Sequence, residues 1–105
     1  MSSQSRKQQI EEFLKEDPAD PFLRYGLAME YVREHDDEGA TRCLEELLAV
    51  RPDYVPAYQQ AGQAFVRLGR ADDARAMFKR GIAAAREHND QHAMEEMQGF
   101  LAALE

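Results

Sequence analysis

The side chains in this chain that could do chemistry are its carboxylates, three histidines and one cysteine. The acids come in adjacent pairs: Glu11-Glu12, Asp36-Asp37, Glu45-Glu46, Asp72-Asp73 and Glu95-Glu96. General acid–base catalysis needs two carboxyls facing one substrate, whereas neighbours on a helix point about 100° apart. Such pairs are better suited to solvated faces and to first turns, where the helix dipole favours negative charge. His88 and His92 stand four apart, the spacing of helical metal sites, with Asp90 between them. Asn89-Asp90 predicts a helix break at that point, which separates the two imidazoles and makes the stretch a polar turn. His35, followed by Asp36-Asp37, reads as a turn residue too. Cys43 adjoins Leu44 on an apolar stripe with no base pattern beside it, as a structural thiol does. There is no phosphate-cradling glycine loop and no nucleophile elbow. No catalytic residue, metal site or cofactor is expected, and the chain does not read as an enzyme.

The elements that would position these residues are helical throughout. Ile10, Phe13 and Leu14 mark one face of an amphipathic helix over residues 4–16, with the residues before Arg6 polar and frayed. Asp17-Pro18-Ala19-Asp20-Pro21 ends it, with Asp20 as N-cap and Pro21 in the first turn of a helix that runs to Glu34. His35-Asp36-Asp37 turns the chain into a helix carrying Ala40, Leu44, Leu47 and Leu48, which stops at Arg51-Pro52. Helices over 55–68 and 71–87 follow, separated at Gly69, a position suited to a left-handed cap. After His88-Asn89-Asp90 a last helix over 90–104 carries Ala93, Met97, Phe100, Leu101 and Leu104 on one face. It reads as a shield for the helices before it.

Composition narrows the partners. At 105 residues the chain is one domain, and 44% hydrophobic residues are enough for a core. Twenty acids against 13 bases give a net charge of −7, which repels phosphate backbones, so neither nucleic acid nor an anionic membrane surface is an expected partner. One cysteine cannot close an internal disulfide, and no segment reads as a signal peptide or membrane span; these features fit a cytoplasmic location.

Sliding the chain along itself by 34 residues pairs Pro18 with Pro52, Ala28 with Gly62, Tyr31 with Phe65, Ala40 with Ala74, Leu44 with Phe78 and Leu48 with Ile82. A backward slide sets Ile10, Phe13 and Leu14 on Leu44, Leu47 and Leu48. The small residues let paired helices approach to roughly 8–10 Å, and the large ones fill the seams between them. This pattern, clearest from Pro52 through Gly62, Gly69, Ala74 and Gly81 to Arg86, resembles the tetratricopeptide repeat, a pair of antiparallel helices. The resemblance implies an all-α, short right-handed helical-repeat solenoid of about six antiparallel helices. It divides as an N-terminal capping helix or half repeat (4–16), repeat 1 (21–54), repeat 2 (55–88) and a C-terminal capping helix (90–104). The first helix would offer a polar outer face to solvent.

In that family the first helix of each pair lines a concave face that holds peptides or helices. The matching positions here are Phe22, Tyr25, Met29, Val32 and Arg33 in the first repeat, and Pro56, Gln59, Gln60, Gln63, Val66 and Arg67 in the second. Phe22, Tyr25, Met29 and Val32 share one helix face. They are either open to a partner or covered by the terminal helices. One subgroup of the family grips acidic C-termini with a two-carboxylate clamp of cations and amides. The corresponding positions here are Tyr25, Met29, Gln60, Asp90 and Met94, and only Gln60 keeps an amide. The expected function is therefore a protein–protein interaction adapter that takes an apolar or amphipathic peptide or helix. The alternative is a module that self-associates, as a weak homo-oligomer, through the ends of its stack.

Overall fold

Six helices make up most of residues 4–105, which the computed structural model describes. They are α1 (Arg6–Glu16), α2 (Pro21–Arg33), α3 (Asp37–Val50), α4 (Val55–Arg67), α5 (Ala71–Glu87) and α6 (Gln91–Ala103), and no strand occurs among the described residues. Every expected helix is present, with small shifts at the ends. The largest shift is at the start of α1, where Ser5 is the N-cap rather than a frayed residue or part of the helix. Its hydroxyl accepts from the Gln8 backbone N–H at 3.1 Å while Gln8 Oε1 accepts from the Ser5 N–H at 2.9 Å, a reciprocal pair that satisfies two otherwise orphaned donors. Met1 to Ser3, expected to precede the helix, lie outside the described residues. Asp20, Asp36 and Asp90 cap α2, α3 and α6 by accepting from the backbone N–H groups of Leu23, Gly39 and Ala93.

Two kinds of turn join the helices. After α1 and α3 the chain extends at Asp17 and Arg51, each directly before a proline, and the Asp20 and Tyr54 N–H groups bond back to the carbonyls of Asp17 and Arg51. After α2, α4 and α5 the chain reverses through one left-handed residue: His35 (φ 60°), Gly69 (φ 75°) and Asn89 (φ 57°). In each of these turns the following residue donates back five positions: Asp36 to Tyr31 O at 2.9 Å, Arg70 to Phe65 O at 2.9 Å and Asp90 to Ala85 O at 2.8 Å. The left-handed cap expected at Gly69 is present, and Asn89, at the expected break, adopts one too. His35 adopts the same conformation without glycine's freedom. The α5–α6 connection has Arg86 where the two earlier ones have proline, so α5 runs on to Glu87 and closes with the second kind of turn.

The helices stack sequentially, α2 on α3 and α4 on α5 as pairs, with α1 laid on α2 and α6 on α5, in an elongated body of 50 × 28 × 20 Å. Side-chain size sets the pair geometry. Phe78 is fully buried against Gly62, where an added Cβ would lie within 2.6 Å of Phe78 Cζ. At the matching place in the first pair the ring is replaced by Leu44 and the glycine by Ala28, both fully buried. Gly81 lets α4 and α6 approach α5 together, since a Cβ there would come within 2.6 Å of Tyr58 Cβ and 3.0 Å of Met97 Cε. Met97 is fully buried, and Phe100 stacks on Phe78 with ring centres 5.5 Å apart. α6 thus shields the second pair as expected. The outer face of α1 is polar as expected except at Phe13, which is 59% exposed, whereas Ile10 one turn before it is buried toward α2.

Candidate functional site

Six of the eleven positions expected to line a binding groove, Phe22, Tyr25, Met29, Pro56, Gln59 and Gln60, fall into two hollows that share Tyr25. The larger, of about 400 Å³, lies between α1 and α2 and is lined by Arg6, Gln9, Ile10, Phe13, Phe22, Leu23, Tyr25, Gly26, Met29 and Glu30. The smaller, of about 230 Å³, is bounded by Tyr25 of α2, by Val55, Pro56, Gln59 and Gln60 of α4, and by Asp90, Ala93 and Glu96 at the start of α6. α6 therefore forms a wall of the groove and does not fill it. Phe22, at 76% exposed, stands almost free of the body.

Backbone spacing explains the division. Phe22, Tyr25 and Met29 follow one another along α2 at three- and four-residue intervals and present a continuous apolar edge. The Tyr25 ring tilts against Tyr54 with centres 5.4 Å apart, which fixes it at the junction of the two hollows. Burial pushes the Tyr25 phenol up from its ordinary value, the nearby Tyr54 adds to this, and Gln60 opposes it. The hydroxyl is therefore a neutral donor at physiological pH.

Val32, Arg33, Gln63, Val66 and Arg67 do not line either hollow. The two arginines are engaged within the chain: Arg33 pairs with Glu30 at 3.3 Å, and Arg67 forms a fork on Asp37 with contacts of 2.9 to 3.1 Å. Val66 lies exposed in the last turn of α4. Sequence reasoning missed Arg6, Gln9, Ile10, Phe13, Leu23, Gly26 and Glu30 in the first hollow, and Val55, Ala93 and Glu96 in the second. The signal for the α1 wall was present in the offset that matches Phe13 to the fully buried Leu47.

Several of the residues weighed for chemistry have structural partners. Asp72 pairs with Arg75 at 2.6 Å and Asp73 with Arg70 at 2.8 Å. His88 closes α5 and His92 lies beyond the Asn89 turn in α6, where its Nε2 is 3.1 Å from Glu96, so the two histidines share no helix face. Cys43 is buried beside Leu44, and burial pushes its thiol up from the ordinary value, away from thiolate reactivity. No helix of the described structure is long and apolar enough to cross a membrane.

Comparison with known proteins places this architecture. A family profile described as "Tetratricopeptide repeat" matches residues 31–97. A TPR repeat-containing protein of Pseudomonas aeruginosa is 30% identical over 96 residues, which cover 91% of each chain. Among solved structures, a tetratricopeptide repeat domain protein from Salinibacter ruber, seen in a crystal, superposes with a TM-score of 0.76 at 38% identity over 81% of this chain and 94% of its own. The solution structure from the same organism gives 0.79 at 39% identity, covering 84% and 89%. A Bordetella parapertussis protein solved in solution reaches 0.84 at 27% identity over 97% of this chain and 89% of that one.

Proposed function

Since the chain belongs to the tetratricopeptide-repeat family, whose fold generally mediates protein–protein interaction, we propose that it is an adapter holding an apolar or amphipathic segment of another protein against α2, α4 and α6. The observation that carries this reading is the hollow around Tyr25, in which three consecutive first-position helices converge on one surface. Its floor supplies an aromatic ring with a neutral hydroxyl and the amides of Gln59 and Gln60. Amides can both donate to and accept from an extended backbone. Its far wall carries Asp90 and Glu96, which favour a segment with basic side chains and disfavour an acidic one. We read the molecule as a binding module and not a catalyst, because Asp37, Asp72 and Asp73 of its paired acids are held by arginines and Asp36 caps α3.

A photo-crosslinking amino acid placed at Gln59, with Lys79 on the exposed face of α5 as control, tests the assignment in the native cell. Discrete adducts at Gln59 that are absent at Lys79 support it. Equal patterns at both positions, or none at Gln59, overturn it.

A further inference from the structure

We infer that the hollow between α1 and α2 is the seat of an amphipathic helix supplied by another protein, lying where a first helix paired with α1 would lie. This rests on reading the chain as a protein-binding module, but not on the Tyr25–Gln59 hollow being occupied.

The offset identifies what the walls are built to touch. Arg6, Ile10 and Phe13 of α1 fall on Ala40, Leu44 and Leu47, and then on Ala74, Phe78 and Gly81; all six of those are buried. In the second pair the covering helix is visible: Phe78 and Gly81 lie against Gly62 and Tyr58 of α4. On the other wall, Leu23 and Glu30 of α2 fall on Ala57 and Ala64, both fully buried. So two walls that elsewhere in this molecule are closed by a helix here border an open hollow, with Ile10 covered by α2 and Phe13 and Phe22 left bare.

A second copy of the chain is poorly suited to fill the seat. Most apolar side chains of α3 to α5 are consumed within the stack, Val50 and Val66 being the large ones left exposed, and the bare edge of α2 at Phe22 is itself a wall of the seat. The outer face of α6 carries His92, Glu95, Glu96, Gly99 and Ala102 where the offset positions of α4 carry Tyr58, Ala61, Gly62, Phe65 and Leu68. It has no large apolar side chain to insert, and two copies each of net charge −7 repel.

The chemistry of the seat specifies the partner helix. At one end Arg6 and Arg33 both close on a single carboxylate, Glu30, at 3.4 and 3.3 Å. At the other, Glu12, Glu16 and Asp17 stand against one cation, Lys15. A helix running parallel to α2 sets its positive N-terminal end toward these acids and its negative C-terminal end toward the arginines, the same direction that α4 takes relative to α2. Its apolar stripe meets Phe13, Phe22 and Leu23. Opposite Ile10 it needs a small residue, as Ala28 stands to Leu44 and Gly62 to Phe78. An acid in its last turn completes the arginine end.

The probe is a helix-stapled peptide of this chain's own residues 20–34, which carries Ala28 at the small position and Glu30 and Glu34 near its end. It is titrated into the full chain, labelled for NMR. Shifts confined to α1 and the N-terminal half of α2 are expected. Affinity should be weakened roughly tenfold or more by Phe13→Glu in the protein or Ala28→Leu in the peptide, and left unchanged by Gln59→Ala. If Phe13→Glu disturbs folding, Phe22→Glu is used instead, on a side chain that touches little. Shifts confined to Gln59, Gln60 and Ala93 overturn the seat while leaving the Tyr25–Gln59 hollow standing. Absence of shifts at millimolar peptide overturns it too. A dimer in sedimentation that Phe13→Glu dissolves transfers the seat to a second copy and likewise overturns the inference.

Discussion

Exchanging the contents of one pair for those of the other tests how this fold is specified. Gly62→Ala adds a methyl group that the Phe78 ring already occupies, with ring atoms Cζ and Cδ1 within 2.6 and 2.7 Å of the new carbon. The ring cannot retreat, because it is fully buried and backed by Phe100. Overpacking of this kind costs about 3 kcal/mol, from which the better helix propensity of alanine recovers about 1, leaving a net loss of about 2 kcal/mol. Phe78→Leu alone removes the stack on Phe100 and leaves unfilled space beside Gly62, also about 2 kcal/mol. Made together, the two changes recreate the Ala28–Leu44 pair: the strain disappears and the methyl fills the gap. The double variant should then lose only about 1 kcal/mol, a coupling of about 3 kcal/mol relative to additivity. In thermal melts each single change should lower Tm by about 8 °C and the double by about half that, at roughly 4 °C per kcal/mol for a chain of this size. Urea midpoints at unchanged slope provide the independent check. A double variant whose loss equals the sum of the single losses would refute the claim that residue size at this crossing distinguishes the two pairs.

Further outcomes are expected elsewhere in the molecule. Gly69→Ala should lose about 1 kcal/mol despite having nothing within 4 Å of the new methyl, because the cost lies in the left-handed backbone, while His35→Gly at the matching turn should gain a few tenths or more in urea denaturation. Truncation after Arg86 removes Met97 and Phe100 from the faces of Gly81 and Phe78, and should yield oligomers or a non-cooperative melt by light scattering and circular dichroism. An acidic C-terminal peptide should give no saturable NMR shifts at Tyr25 or Gln60, because Asp90 and Glu96 wall that hollow and no cation stands at the clamp positions; micromolar, salt-sensitive binding there would refute this reading.

Helix content, helix order and most caps were legible in the sequence because each rests on local chemistry. Asp20, Asp36 and Asp90 are short polar acceptors placed ahead of apolar periodic runs, and Pro18 and Pro52 restrict the residues before them. His35 was not legible as a left-handed residue from its type alone, since histidine, though enriched there among non-glycine residues, enters that region far less readily than glycine. Only its register with Gly69 marks it, and a register is informative once both turns are known to have the same form. Arg33 and Arg67 were assigned to the groove from position along the helix, yet each finds a carboxylate, Glu30 one turn back and Asp37 thirty residues away. The first kind of pairing can be read from spacing. The second depends on how α4 lies beside α3.

The two ends of the stack differ for a reason that the same register makes plain. A helix at an end has one face turned inward and another turned to water, and it is stable alone only if the outward positions have lost the large apolar residues that interior copies carry. α6 has lost them: where α4 carries Tyr58 and Phe65, it carries His92 and Gly99, so its inner stripe from Met97 to Leu104 is used and its outer face is wet. α1 has not: Phe13 stands where α3 carries Leu47, with the same large apolar character and without the cover. An exposed phenylalanine by itself signifies little, since much of any protein surface is apolar. Here Phe13 and Phe22 face one hollow, from two helices, at positions whose counterparts include one fully buried by the stack, Leu47. A capping end that needed only solubility would have replaced Phe13 with a polar residue at little cost, because it contributes almost nothing to the core. The proposed seat at the α1 end therefore rests on Phe13 and Phe22 facing one hollow, and the outer face of α6 carries no such pair.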